Sequence, residues 1–140
     1  MTKVLAIRAV IAGDAPVVRT IAIREDQTLE QLHEALRLAF GWWETHLYAF
    51  WTDGTFWSNT PGVRYSAPFE LEHADLSART ALAELELRKG SKLAYVFDFG
   101  DEWRLLLKVV ETWEAEDESY PMLVEAAGTP PPQYPPDEDE

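Results

Sequence analysis

Apolar and polar residues alternate along much of this chain, and the period of the alternation changes from segment to segment. In "KVLAIRAVIA", Leu5, Ile7, Ala9 and Ile11 fall on one face of an extended chain. Val4, Ala6 and Val10 fall on the other, with Arg8 among them. After a "GDAP" turn, "VVRTIAIRE" repeats the β-rich pattern. The two segments predict an antiparallel pair, and apolar residues on both faces of the first predict an interior strand. In "TLEQLHEALRLAFGW" the period lengthens, and Leu29, Leu32, Leu36, Ala39 and Phe40 recur at helical spacing. Thr28 and Gln31 form a capping-box pattern, Glu30 places negative charge in the first turn, and Gly41 suits the far end. The spacing predicts a helix over 29–40 that covers one face of a sheet.

Further along, aromatic residues carry the pattern. Asp53-Gly54 lies between "HLYAFWT" and "TFW", which predicts a hairpin turn. Residues 58–79 show no period and hold Pro61, Gly62 and Pro68, so they read as a covering flap or hide a short strand around 65–71. "TALAELELRKG" predicts a second, short helix closed by Gly90. "KLAYVFDFGDEWRLLLKVVET" predicts a second hairpin, and parity constrains its register. Only a loop of odd length gathers Leu93, Tyr95, Phe97, Phe99, Trp103, Leu105, Leu107 and Val109 on one apolar face. The expected pairs are Phe99 with Trp103 and Phe97 with Leu105. Asp98 then stands opposite Arg104, and Gly100 is expected to take a positive φ in the turn.

These elements predict an α+β fold. Its sheet is mixed and mainly antiparallel, built from hairpins 3–24 and 92–112 plus a central strand at 46–52. The main helix packs on one face and the short helix is additional. Residues 1–126 read as a single domain. Residues 127–140, "AGTPPPQYPPDEDE", read as a proline-rich acidic tail, extended or disordered.

Composition narrows the functional classes. The 140 residues suit one core, and no apolar run is long enough to span a bilayer as a helix. With no cysteine, disulfides, thiol catalysis and cysteine metal sites are excluded, and a reduced cytoplasmic setting fits. The net charge of −13 is concentrated late in the chain, since no Lys or Arg follows Lys108. Bases are scattered singly apart from "RKGSK" at 88–92, which disfavours autonomous nucleic-acid binding. No Gly-rich phosphate loop, nucleophile elbow or other cofactor-binding pattern occurs.

Candidate chemistry gathers at "YVFDFGDEW". Asp98, Asp101 and Glu102 read first as turn chemistry with a cross-strand ion pair, and alternatively as oxygen ligands for a hard cation. The histidines at 33, 46 and 73 have no zinc-ligand spacing. His33, one helical turn after Leu29 and a turn before Leu36, reads as a boundary residue rather than a ligand. His46 opens an aromatic strand and is the better candidate for a buried hydrogen bond. Six tryptophans are many for one small core, so some are expected to line a groove. The favoured reading is a non-enzymatic binding module with an aromatic-lined groove for a protein or peptide partner. Its candidate binding residues are His46, Tyr48, Asp98, Asp101, Glu102 and Trp103. A metal-dependent hydrolase or nuclease using the 98–102 turn is the alternative. "PPQY" at 131–134 matches the Pro-Pro-x-Tyr pattern read by WW-type domains.

Three stretches, "LEQLHEALRLAFGWWETHLYAF", "LAYVFDFGDEWRLLLKV" and "YPMLVEAAGTPPPQY", occur in order and span nearly the whole chain. In them the sequence resembles the plasmid pRi ORF-3-like protein family. The resemblance implies a bacterial or archaeal protein with a compact α+β fold and implies little about activity. Some members carry a resolvase label, which adds a third reading as a mobile-element accessory factor associated with DNA. No recombinase serine with arginine partners is recognisable here. The late segment "PPPQYPPDEDE" departs from the Pro-Glu-Asp-Gly-Gly-like ending of many members.

Overall fold

The structure, a computed structural model, describes residues 1–11, 16–69, 75–116, 118–130 and 133. Strands β1 (Thr2–Ile11) and β2 (Val17–Arg24) pair antiparallel, with Ile7 opposite Ile21. Helix α1 (Leu29–Ala39) follows. Then come β3 (Tyr48–Trp51), β4 (Arg64–Ser66), β5 (Leu76–Ser77), β6 (Lys92–Phe97), β7 (Trp103–Ala115) and β8 (Met122–Ala127). All join one 8-stranded sheet in the order β5-β4-β3-β6-β7-β1-β2-β8. Every pairing is antiparallel except β4 with β5.

The fold is sheet-dominated rather than the balanced α+β arrangement expected, with 45% strand and 12% helix among the described residues. Two local causes account for the difference. The expected second helix is a single 3-10 turn, Leu82–Leu85, because Glu86 turns left-handed at φ 52 and ends it. The amides of Leu82 and Ala83 bond to the carbonyls of Gln27 and Glu25, so that turn serves to anchor the start of α1. In addition, "MLVEAA" is β8, paired with β2. The strand after α1 is not central either, because β6, β7 and β1 lie between it and β2. The Asp53-Gly54 turn does not return into a partner strand. Instead β3 pairs with β4 twelve residues on and with β6 on its other side.

Helix α1 forms where its spacing placed it. The Thr28 hydroxyl accepts from the Gln31 amide, and the Gln31 side chain accepts from the Thr28 amide, which completes the capping box. Its buried face, Leu29, Leu32, His33 and Leu36, lies on the sheet. There it meets Leu5, Ile7, Ile21 and Ile23 from β1 and β2, and Tyr95, Phe97, Leu105 and Leu107 from β6 and β7. At roughly 1.5–3 kcal/mol per fully buried large apolar side chain, this layer supplies most of the driving force for folding. A smaller cluster, Ala49, Trp51, Ala94 and Val96, forms on the opposite face under Phe56, Trp57, Val63 and Phe99.

The β6–β7 hairpin has an odd, five-residue loop, but its register sits two residues from the one expected. Phe97 pairs with Trp103, Tyr95 with Leu105 and Leu93 with Leu107. Parity is kept, so these side chains share the helix-covered face. Phe99 leaves the ladder and joins the opposite cluster. Arg104 pairs with Val96 instead of facing Asp98. The positive φ angles belong to Asp98 (63°) and Glu102 (50°), not to Gly100.

Candidate functional site

The geometry of the 98–102 turn explains the shift in register. The Asp98 amide donates to the Leu47 carbonyl at 2.8 Å, which ties the turn to the strand before it. Its Oδ1 accepts from the amides of Gly100 (3.1 Å) and Asp101 (3.3 Å). An aspartate that caps two amides of its own turn tolerates the left-handed conformation that a β-branched or bulky residue resists. With Asp98 and Glu102 both left-handed, the loop closes five residues wide, and the carboxylate is spent inward. Asp98 is buried, and its Oδ2 lies 3.7 Å from His46 Nε2. Glu44 Oε2 lies 3.9 Å from the same nitrogen.

Of the six residues expected to form a site, the structure brings His46 and Asp98 together at this turn. Glu102 points elsewhere and pairs with Arg104 at 2.6 Å. Asp101 is exposed. Tyr48 is buried beneath α1 with its ring stacked on His33 at 3.5 Å. Trp103 stacks on Trp42. Among the described residues, no group of three or more His, Asp or Glu side chains is arranged to hold a metal ion. His73 lies outside the described residues.

The cluster around His33 is an interior one. His33 Nδ1 lies 2.8 Å from the Tyr95 hydroxyl, and Nε2 lies 3.6 Å from Glu34 Oε1. Burial, aided by the nearby Arg37 cation, lowers the His33 pKa to about 3, so the ring is neutral and its approach to Glu34 is not an ion pair. A proton on Nε2, toward Glu34, leaves Nδ1 to accept from Tyr95. Burial likewise raises the pKa values of Tyr95 and Tyr48, keeping both phenols protonated.

A groove of about 680 Å³ opens elsewhere, between α1 and the edge strand β8. Ile21, Ala35, Ala39 and Met122 line it, with Leu38 and Leu123 at its mouth. Leu38 is 66% exposed and Leu123 50%. Glu34 and Glu30 stand at its rim, one and two helical turns before Leu38 on the same stripe of α1, and Glu34 pairs with Arg37 at 2.7 Å. No Lys or Arg lines it. The lining is aliphatic, while Trp42 and Trp51 are buried in the two cores and Trp43 and Trp113 are exposed singly.

Two polar anchors hold the groove in shape. Arg19 of β2 is buried and ties α1 to β8, donating to the carbonyls of Ala39 at the helix end, of Ala127 at the end of β8 and of Gly128 after it. Gln27 donates to the Tyr120 carbonyl just ahead of β8. Farther along, the buried Gln133 side chain takes both polar groups of the Glu44 backbone, accepting from its amide at 3.1 Å and donating to its carbonyl at 3.0 Å. The rest of the "PPQY" pattern lies outside the described residues, as do most of residues 127–140.

The sequence reading did not single out Glu30, Glu34, Leu38, Leu123 or Gln133 as site or anchor residues. A signal was present for Leu38, which is an apolar residue off the buried stripe of an otherwise amphipathic helix.

Residues 4–134 match the family described as plasmid pRiA4b ORF-3-like protein. The chain belongs to that family. A relative from Sinorhizobium fredii (strain NBRC 101917 / NGR234), "Uncharacterized protein y4hQ", is 32% identical over 121 residues, covering 84% of this chain. This chain spans 58% of that relative's length. The crystal structure of MM3350, a protein of unknown function from Methanosarcina mazei Go1, superposes with a TM-score of 0.77 over 95% of this chain and 74% of that one. At 20% identity, this likeness shows that the ORF-3-like chain and MM3350 share a fold and nothing more.

Proposed function

We propose that this ORF-3-like protein is a non-enzymatic binding module that captures a segment of another protein in the groove between α1 and β8. The observation that carries the reading is the groove itself. It is about 680 Å³ in volume, within the range of ligand-binding clefts, and is apolar within and acidic at its rim. The aromatic lining expected from composition gives way to an aliphatic one, because the stacked aromatics fill the layer between α1 and the sheet. The 98–102 turn supports this reading over a hydrolase. Asp98 Oδ1 caps two amides of the turn and Glu102 turns away to pair with Arg104, so among the described residues the carboxylates do not converge on a point where a cation could sit.

The test is panning of a random-peptide phage library on the immobilised protein, with Leu38→Asp and Leu123→Asp variants as controls. Both positions are half or more exposed, so both variants should fold. Peptides enriched on the wild type should lose binding to both variants. No enrichment over bare support, or enriched peptides that bind both variants unchanged, would remove the groove as the binding site.

A further inference from the structure

We infer that the occupant of this groove is an extended, positively charged segment that adds to β8 as a ninth strand. The inference rests on the binding reading above and deepens it. Three observations carry it.

The first is the open edge. β8 is the last strand of the sheet, six residues long, and no strand pairs with its outer side among the described residues. At the other end of the sheet, β5 has only two residues. A long edge with exposed apolar side chains templates pairing with another chain. Leu123 and Val124 on β8 are 50% and 48% exposed. The β2–β8 register shifts between Thr20 and Ile21, leaving Val124 as the extra residue, yet pairing continues on both sides of that bulge. The edge is therefore kinked but not closed.

The second is the position of α1. It packs over β2 and lines the groove together with β8. A strand laid beside β8 places every second side chain toward Leu38, Ala35 and Leu123. Main-chain bonds to β8 would supply affinity, and this row of pockets specificity, as in strand-addition recognition generally.

The third is charge. Glu30 and Glu34 stand on the rim, the second shared with Arg37 at 2.7 Å, no Lys or Arg is among the residues that line the groove, and the chain carries −13. A second copy of this chain would bring −13 against −13. A segment bearing Lys or Arg beside its apolar residues is complementary, and its association is steered by the field.

The probe is a nine-residue peptide alternating Val and Thr, flanked by two Lys at each end and labelled for fluorescence anisotropy. The matched controls replace every Lys by Glu, N-methylate alternate backbone amides, or substitute a Leu/Lys sequence of helical period. The Lys peptide should bind and weaken as salt is raised. It should lose about two- to fivefold in affinity against the Glu30→Gln variant, which leaves the Glu34–Arg37 pair intact. The N-methylated peptide should not bind, and bound peptide should slow hydrogen exchange at the β8 amides. Equal binding of the Glu peptide would overturn the charge assignment. Equal binding of the N-methylated peptide, or tighter binding of the helical one, would overturn strand addition. Protected β8 amides in a concentration-dependent dimer of the protein alone would show a second copy on the edge and also overturn it. If phage panning yields groove-dependent peptides while the Lys peptide fails, this inference falls and the binding reading stands. If panning also fails, both fall.

Discussion

On the face under α1, His33, Tyr48, Tyr95, Phe97 and Trp42 stack into a closed layer. On the opposite face, Trp51, Trp57 and Phe99 surround the Arg64 guanidinium at 5.4–5.6 Å, while Arg8, Arg104, Leu106 and Lys108 stay in solvent. Both faces use aromatic residues, but to different ends. Under the helix, they exclude water completely enough to hold an imidazole neutral. On the open face, they shelter a cation that keeps a carboxylate partner, Asp75, at 3.5 Å. The comparison teaches that aromatic content alone does not locate a binding surface. Here the stacked rings are structure, and the groove at the sheet edge is lined by aliphatic side chains.

The sharpest way to break the comparison is to remove one ring from each face. Trp42→Ala should cost about 3–5 kcal/mol by denaturant titration, because it empties a fully buried site. Trp57→Ala, half-buried, should cost less than about 2 kcal/mol. Equal losses would show that the open face is as tightly packed as the closed one.

Acid titration comes next. With a folded pKa of about 3 against an ordinary 6.5, His33 binds no proton in the folded protein where the unfolded chain binds one. Its contribution is whole above pH 6.5 and falls as pH drops toward 3, at about 1.4 kcal/mol per pH unit. Between pH 6.5 and 5, stability of the wild type should therefore fall more steeply than that of His33→Gln. Parallel slopes would mean that His33 is hydrated and the layer under α1 is not closed.

A smaller effect is expected at Arg64. Replacing it by Met keeps the stem but removes the cation from both the rings and the Asp75 carboxylate, so the loss should be about 1–2 kcal/mol. A gain in stability would show that the guanidinium is merely tolerated among the rings. The smallest change is expected from Leu38→Asp, within about 0.5 kcal/mol of wild type by thermal melt, since its side chain is mostly in water. A large loss there would make the groove part of the core rather than a surface.

How far the sequence exposed this architecture depends on the range of the interaction. Helix α1 was legible to its cap, because Thr28, Gln31 and the leucine spacing are local signals. The facing of the β6–β7 side chains was legible from parity, since a slip of one residue would turn every apolar side chain outward. A slip of two leaves that pattern intact. The register therefore depended on the left-handed angles of Asp98 and Glu102, which residue type alone does not dictate. The pairing of β3 with β4 across an irregular loop, and of β8 with β2 across about a hundred residues, left no periodic trace. His46 and Asp98 stood out in the sequence because they are few and chemically distinct, and the structure brings them within 3.7 Å of each other. The groove residues are ordinary leucines and glutamates that gain meaning only when α1 and β8 come together.

The placement of β1 has a consequence for how the chain folds as it is made. β1 pairs with β2 on one side and β7 on the other, with Val10 opposite Leu106 and Thr2 opposite Ala115. During synthesis the first hairpin and α1 emerge early, yet one margin of β1 waits for residues nearly a hundred positions later. Closing so long a separation carries an entropic penalty before any contact offsets it, which slows folding and prolongs exposure of the unpaired margin. A nascent chain stalled before residue 103 should accordingly bind a holdase chaperone and resist neither protease nor exchange at β1. One stalled well beyond residue 115 should lose the chaperone and become protected there.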